Sequence, residues 1–196
     1  MPALPGWPEH ARTMTATATT TLAPDPLWSP LEAAVGNEWY LLRVRSNQEK
    51  QLADTLAAMG VGHFLPLVRQ TRYWGMRKTV VESPLFPGYV FLRGAVDDVY
   101  RADRTRRVAS IVRVADQKRL DWELRNIRMA LAGNAALIPT TCLQNGTRVE
   151  VRSGPFRGLQ GLIRERMKEN RLVLQVQMLG AATSLEIDAG LLDPLD

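Results

Sequence analysis

A change of pattern near residue 143 limits the folds that this chain can adopt. Between residues 37 and 133, apolar residues recur with the spacing of strands and helices in alternation. From Gly146 onward the pattern consists of short strand-like segments that are separated by turn residues. The first pattern predicts one sheet with helices packed against it, and the second has the size of a small barrel.

The chain divides into four segments on this basis. Residues 1–36 carry a Thr/Ala run at 13–21 and several prolines, which indicates a disordered tail. Residues 37–133 form the predicted sheet-and-helix domain, residues 134–142 a short linker, and residues 143–196 the predicted barrel.

Local signals support the larger domain. Residues 39–45 alternate as a strand does, and the spacing of Ser46 and Glu49 is typical of a capping box that starts a helix. Gly60 is suited to end that helix in a left-handed conformation. Asp121 is predicted to cap the last helix of the domain.

Composition excludes several classes of protein. The single cysteine, Cys142, cannot form an internal disulfide, so a secreted domain held by disulfides is disfavoured. The two histidines lie far apart with no cysteine nearby, which argues against a zinc site. No catalytic motif and no apolar run of about 20 residues is present. We therefore expect a cytoplasmic non-enzyme with no catalytic residues, metal, cofactor or membrane contact.

The positive charge lies in the middle of the chain. Residues 37–133 contain seventeen basic and ten acidic side chains, a net charge of +7, whereas residues 143–196 contain seven of each. A basic block favours contact with a phosphate backbone or another acidic surface. The alternative of a solvated arginine-rich face remains open on charge alone.

Two motifs resemble those of a known family. PLFPGYVF at residues 84–91, preceded by Trp39 and Tyr40, is similar to the motif of the NusG amino-terminal (NGN) domain. GTRVEVRSGPFRGLQG at residues 146–161 resembles a KOW motif, and residues 178–187 resemble the last hairpin of the NusG barrel. By these motifs the chain resembles the NusG family, and more closely its specialised RfaH-like antiterminators.

The resemblance implies an α+β fold, with an antiparallel NGN-type sheet flanked by helices and a five-stranded KOW barrel of the Src-homology-3 type. It also implies a monomeric transcription elongation factor that binds the clamp coiled coil of RNA polymerase and modulates pausing, termination or antitermination. The residues expected to dock on the polymerase are Leu85, Phe86, Pro87 and Tyr89. Strand alternation places Tyr89 on the same face as Phe91, so a core position for both remains an alternative.

The resemblance further implies contact with the non-template DNA strand. The basic residues expected to make this contact are Arg45, Arg104, Arg106 and Arg107. Thr55 and Ala58 depart from the basic or polar residues of the family, which argues against sequence-specific recognition. Tyr73 or Trp74, beside a predicted hairpin tip at Gly75, offers an aromatic ring for base stacking, although packing at the tip is the favoured alternative.

The barrel is expected to recruit a protein. Phe156, Met178 and Leu179 match the family positions that contact a small-subunit ribosomal protein or the termination factor Rho. Leu179 and Ala181 depart from the housekeeping pattern, which weakens both assignments. Two other functions remain open: a KOW-type RNA-binding ribosomal or translation-associated protein, and an interaction module with no role at the polymerase.

Overall fold

The computed structural model describes residues 37–74, 77–141, 146–166 and 169–195. The predicted tail at 1–36, the hairpin tip at Gly75 and Cys142 lie outside these residues. The described chain is α+β, as the sequence predicted, with an amino-terminal and a carboxy-terminal antiparallel sheet.

The amino-terminal domain is built on a four-stranded antiparallel sheet. Its strands are β1 (Glu38–Val44), β2 (Gly62–Phe64), β5 (Tyr89–Gly94) and β6 (Val108–Arg113), in the order β2-β5-β1-β6. A separate hairpin joins β3 (Leu67–Trp74) to β4 (Arg77–Pro84). The helices are α1 (Glu49–Ala58), α2 (Val96–Asp103) and α3 (Gln117–Ala132).

Both faces of this sheet are covered, because successive side chains of a strand point to opposite faces. On β1, Tyr40 and Leu42 join a buried cluster with residues of α1 and α2. Trp39 and Leu41 belong to the other cluster, which includes Leu124 and further apolar residues of α3. The central strand is therefore buried on both sides, and its apolar residues run almost without interruption.

The helix ends correct two predictions. No side chain caps α1, and the Glu49 carboxylate instead accepts a hydrogen bond from the backbone N–H of Gly88 at 2.8 Å. The cap of α3 is Asp116, which accepts from the N–H of Arg119, while Asp121 lies inside the helix. Gly60 follows α1 with a φ of 68°, so the prediction of a left-handed glycine there is confirmed.

The carboxy-terminal domain is one antiparallel sheet in the order β12-β8-β9-β10-β11-β7. The five strands from residues 146–195 are β8 (Thr147–Val151), β9 (Gln160–Arg166), β10 (Glu169–Val176), β11 (Ala181–Glu186) and β12 (Leu192–Pro194). The sixth, β7 (Ile138–Thr141), comes from the predicted linker and pairs with β11. The predicted linker is thus partly a strand. Ala135 and Leu137, which precede β7, are buried among apolar residues of both domains and hold this segment against them.

The two domains pack against each other. One continuous cluster of buried apolar side chains contains Leu124 and Ile127 of α3 together with Val149, Leu172 and Leu174 of the carboxy-terminal sheet. Helix α3 therefore has buried residues on two sides, one toward its own sheet and one toward the carboxy-terminal domain.

Candidate functional site

The turn at residues 86–89 follows directly after the β3–β4 hairpin and leads into β5. The N–H of Tyr89 donates to the carbonyl of Phe86 at 3.2 Å, and Gly88 has a φ of 83°. A proline at the second position and a positive φ at the third are the features of a type II turn. The Glu49 carboxylate and the N–H of Val44 bind Gly88 from either side, so the turn is held on α1 and β1.

The turn separates the predicted polymerase-docking residues into two groups. Leu85 and Phe86 are only 1% and 2% exposed, and the Phe86 ring meets Phe91 edge-on with centroids 6.1 Å apart. Pro87 is exposed and Tyr89 is half-buried. The predicted surface role of Leu85 and Phe86 therefore needs correction, because both side chains fill the core beneath the turn and leave Pro87 and Tyr89 accessible.

The four predicted nucleic-acid residues lie together at one end of the sheet. The N–H of Arg45 donates to the carbonyl of Arg107 at 2.9 Å, which joins the end of β1 to the loop after α2. Arg45, Arg104 and Arg106 are exposed, and Arg107 is half-buried. We call this group the arginine surface. Its tight loop places Arg106 at a φ of 59°, a conformation that few non-glycine residues adopt.

A polar seam lines the contact between the domains. The Nε1–H of Trp122 donates to the Gln160 side chain at 3.2 Å, and the N–H of Gln160 donates to the Asn126 side chain at 2.8 Å. The Arg148 guanidinium lies over the Trp122 ring, 5.5 Å from its centre. These residues line a cleft of about 1310 Å³ between α3 and the sheet. Trp122 was not among the predicted site residues; a tryptophan between charged residues at 121–123 was the signal in the sequence.

Glu123 is a buried carboxylate in this seam. It accepts from the N–H of Gln177 at 3.2 Å and from the Nε–H of Arg119 at 3.2 Å. Burial raises the pKa of the Glu123 carboxyl, with a smaller contribution from Asp116, and these two hydrogen bonds offset the rise only in part.

The predicted partner-binding residues of the carboxy-terminal domain also face the seam. Phe156 packs on the end of α3 so closely that a β-carbon added at Gly133 would lie 2.5 Å from its ring. Met178 lines a small pocket with Leu120, and Leu179 is partly buried against the same apolar cluster. Met178 and Leu179 lie in a short 3₁₀ turn, because β10 ends at Val176 rather than continuing to Met178.

Replacing Glu123 with glutamine tests the electrostatics of the seam. A carboxylate whose pKa is raised by folding stabilises the protein below its unfolded pKa and loses that contribution as pH rises through the folded value. Glutamine remains neutral, so we expect Glu123→Gln to be more stable than wild type at neutral pH. The difference should shrink as pH falls through the raised folded pKa and be smallest below the unfolded pKa of about 4.3. Urea unfolding at a series of pH values measures this difference.

The exposed Glu186 supplies the matched control for this prediction. Glu186→Gln is expected to change stability by no more than about 0.5 kcal/mol at neutral pH, the usual effect of a surface substitution. If Glu123→Gln is instead less stable than wild type at neutral pH, the ion pair with Arg119 outweighs the cost of burying the carboxylate.

Comparison with known proteins finds similar sequences. The family model described as "NusG: Transcription termination factor nusG" matches residues 37–128, which contain the turn, the arginine surface and most of α3. This part of the chain is therefore similar to NusG proteins. The chain is 23% identical over 173 residues to the transcription termination/antitermination protein NusG of Borreliella burgdorferi, covering 76% of this chain and 94% of that protein. The NusG of Neisseria meningitidis serogroup B is 24% identical over 170 residues, covering 79% and 96%.

Both relatives are named as transcription termination/antitermination proteins. One solved structure, described as "Crystal Structure of MjSpt4:Spt5 complex conformation B", covers 81% of this chain and 97% of that chain. Its sequence identity is 18% and its TM-score 0.25, so the likeness is too weak to argue from.

Two further observations concern the described residues. None of their helices is long and apolar enough to cross a membrane. No three histidine, cysteine or acidic side chains lie close enough together among them to hold a metal ion.

Proposed function

We propose that this chain is a cytoplasmic elongation factor of the NusG family that binds the clamp coiled coil of RNA polymerase and modulates pausing, termination or antitermination. The observation that carries the proposal is the turn at residues 86–89. Its buried Phe86 anchors a proline–glycine turn whose outer residues, Pro87 and Tyr89, remain accessible.

Rigidity is what makes this turn suitable for binding a helical partner. Glu49 and Val44 hold Gly88 through hydrogen bonds, so little conformational freedom is left to lose on binding. Tyr89 offers a large ring with few rotatable bonds, the kind of side chain that dominates protein interfaces. Pro87 adds an apolar contact without a backbone donor that would need a partner.

The arginine surface extends the proposal to nucleic acid. Exposed guanidinium groups at Arg45, Arg104 and Arg106 suit the phosphates of the non-template DNA strand in a transcribing complex. Phosphate contacts position a strand and carry no sequence information by themselves.

The carboxy-terminal domain is proposed to recruit a further protein, a small-subunit ribosomal protein or Rho, through Phe156, Met178 and Leu179. Phe156 packs against Gly133 and Met178 against Leu120 in the present arrangement. Recruitment through these side chains therefore requires that the carboxy-terminal domain leave α3.

Capture of core RNA polymerase by the full-length chain tests the proposal. We expect Tyr89→Ala to weaken capture by about thirtyfold, the effect of an interface hot spot, and Tyr89→Phe to retain it. Val96→Ala is the control, since Val96 is an exposed apolar residue on α2 to which no binding role is assigned. Capture by Tyr89→Ala at the wild-type level would contradict the docking role of the turn. Parallel capture of small ribosomal subunits and of Rho, with Phe156→Ala for comparison, tests the recruitment step.

A further inference from the structure

One aromatic side chain on α2 is largely exposed. Tyr100 is 60% exposed, while the neighbouring helix residues Val99 and Ala102 are buried. A single exposed apolar residue is common on protein surfaces and needs no explanation by itself. Its surroundings make Tyr100 distinctive.

Tyr100 borders the arginine surface. Arg104 caps the carboxy-terminal end of α2 four residues after Tyr100, and its N–H donates to the carbonyl of Tyr100 at 3.1 Å. The chain then turns at Arg106, whose N–H donates to the backbone carbonyl of Asp103. It continues to Arg107, whose carbonyl accepts from the N–H of Arg45. An exposed ring thus lies next to the loop that carries three of the four arginines of the arginine surface.

We propose that Tyr100 is a stacking platform for one base of a single-stranded nucleic acid whose phosphates lie on the arginine surface. This inference rests on the nucleic-acid contact of the proposed function. A base that leaves its neighbours can stack on any exposed aromatic ring, and a basic path beside the ring holds the backbone. The two sources of such a strand in a transcribing complex are the non-template DNA and the transcript.

The acidic residues of α2 set the direction of approach. Asp97 and Asp103 are exposed on the helix at three residues to either side of Tyr100, and Asp98 is paired with Arg101. Residues 104–107 contain no carboxylate, so the strand is expected to approach from this loop. One base at the end of the bound strand then meets the Tyr100 ring. Neutralising Asp103 as Asp103→Asn is accordingly expected to strengthen binding.

Fluorescence anisotropy with labelled single-stranded DNA and RNA of about twelve nucleotides tests this proposal in the full-length chain. We expect Tyr100→Ala to weaken binding about tenfold at every salt concentration and Tyr100→Phe to keep wild-type affinity. Arg104→Ala should instead reduce the salt slope by about one, because it removes a phosphate contact. A preference for DNA indicates the non-template strand as the source, and a preference for RNA indicates the transcript.

The outcomes separate this inference from the function on which it rests. If the arginine variants weaken binding and Tyr100→Ala does not, stacking is wrong and the arginine surface stands. Wild-type affinity in Tyr100→Leu also overturns stacking, since leucine has no π face. If no variant at Arg45, Arg104 or Arg106 changes binding, the nucleic-acid contact itself fails. Unchanged thermal melting of Tyr100→Ala confirms that the exposed ring does not support the fold.

Discussion

Replacing Phe86 with alanine is expected to lower the free energy of unfolding by about 3–5 kcal/mol, the cost of truncating a buried aromatic ring. Phe86 lies in the core beneath the turn, against Phe91, and belongs to the cluster that joins α3 to the sheet. Urea unfolding followed by circular dichroism measures the loss. Reduced polymerase capture by Phe86→Ala would then report unfolding and not a lost contact.

Pro87→Ala is the control for this substitution, because Pro87 is the neighbouring residue and is exposed. Its cost should be about 1 kcal/mol or less, the entropy that proline removes from the unfolded chain. A Phe86→Ala variant as stable as wild type would contradict the core position of the ring and return Phe86 to the docking surface.

Replacing Asp121 with alanine is expected to cost a similar amount, about 3–5 kcal/mol, because it breaks a buried group of charges. Asp121 is 6% exposed, accepts from the indole N–H of Trp39 at 3.0 Å and binds Arg125 at 2.6 Å. Its charge also acts on Arg93, which is 5% exposed, and burial lowers the pKa of that guanidinium. No hydrogen-bond partner of the Arg93 nitrogens is present among the described residues, so Asp121 is the carboxylate that offsets this charge.

The helix cap Asp116 provides the comparison. Asp116→Ala removes one hydrogen bond to the N–H of Arg119, and the expected cost is about 1 kcal/mol. Unfolding of the two variants in urea gives the difference directly. If the two variants lose equal free energy of unfolding, Asp121 contributes no more to stability than a helix-capping residue does, and the buried charge group is wrong.

Several elements followed from local signals. The alternation over residues 39–45 predicted β1 to within one residue, and Gly60 ended α1 as expected of a left-handed glycine. The patterns on either side of residue 143 predicted the α+β class that the two antiparallel sheets show. These features depend on residues that are neighbours in the sequence, so they can be predicted from the sequence.

The errors have a different origin. Ser46 and Glu49 have the spacing of a capping box, yet Glu49 binds Gly88, a residue far along the chain. Asp121 was predicted to cap α3, but its carboxylate instead accepts a hydrogen bond from the indole N–H of Trp39 on β1. In each case a polar side chain had a local and a distant partner available, and only the packed chain decides between them.

Periodicity, turn residues and charge are local properties, so they predicted the α+β class and the basic character of the loop at Arg104–Arg107. Packing in three dimensions was needed to show that Phe86 is buried while Tyr89 is half-buried, that Tyr100 lies beside the loop of the arginine surface, and that Phe156 and Met178 pack on α3. Burial depends on which distant segments meet, and that information is absent from any single stretch of sequence.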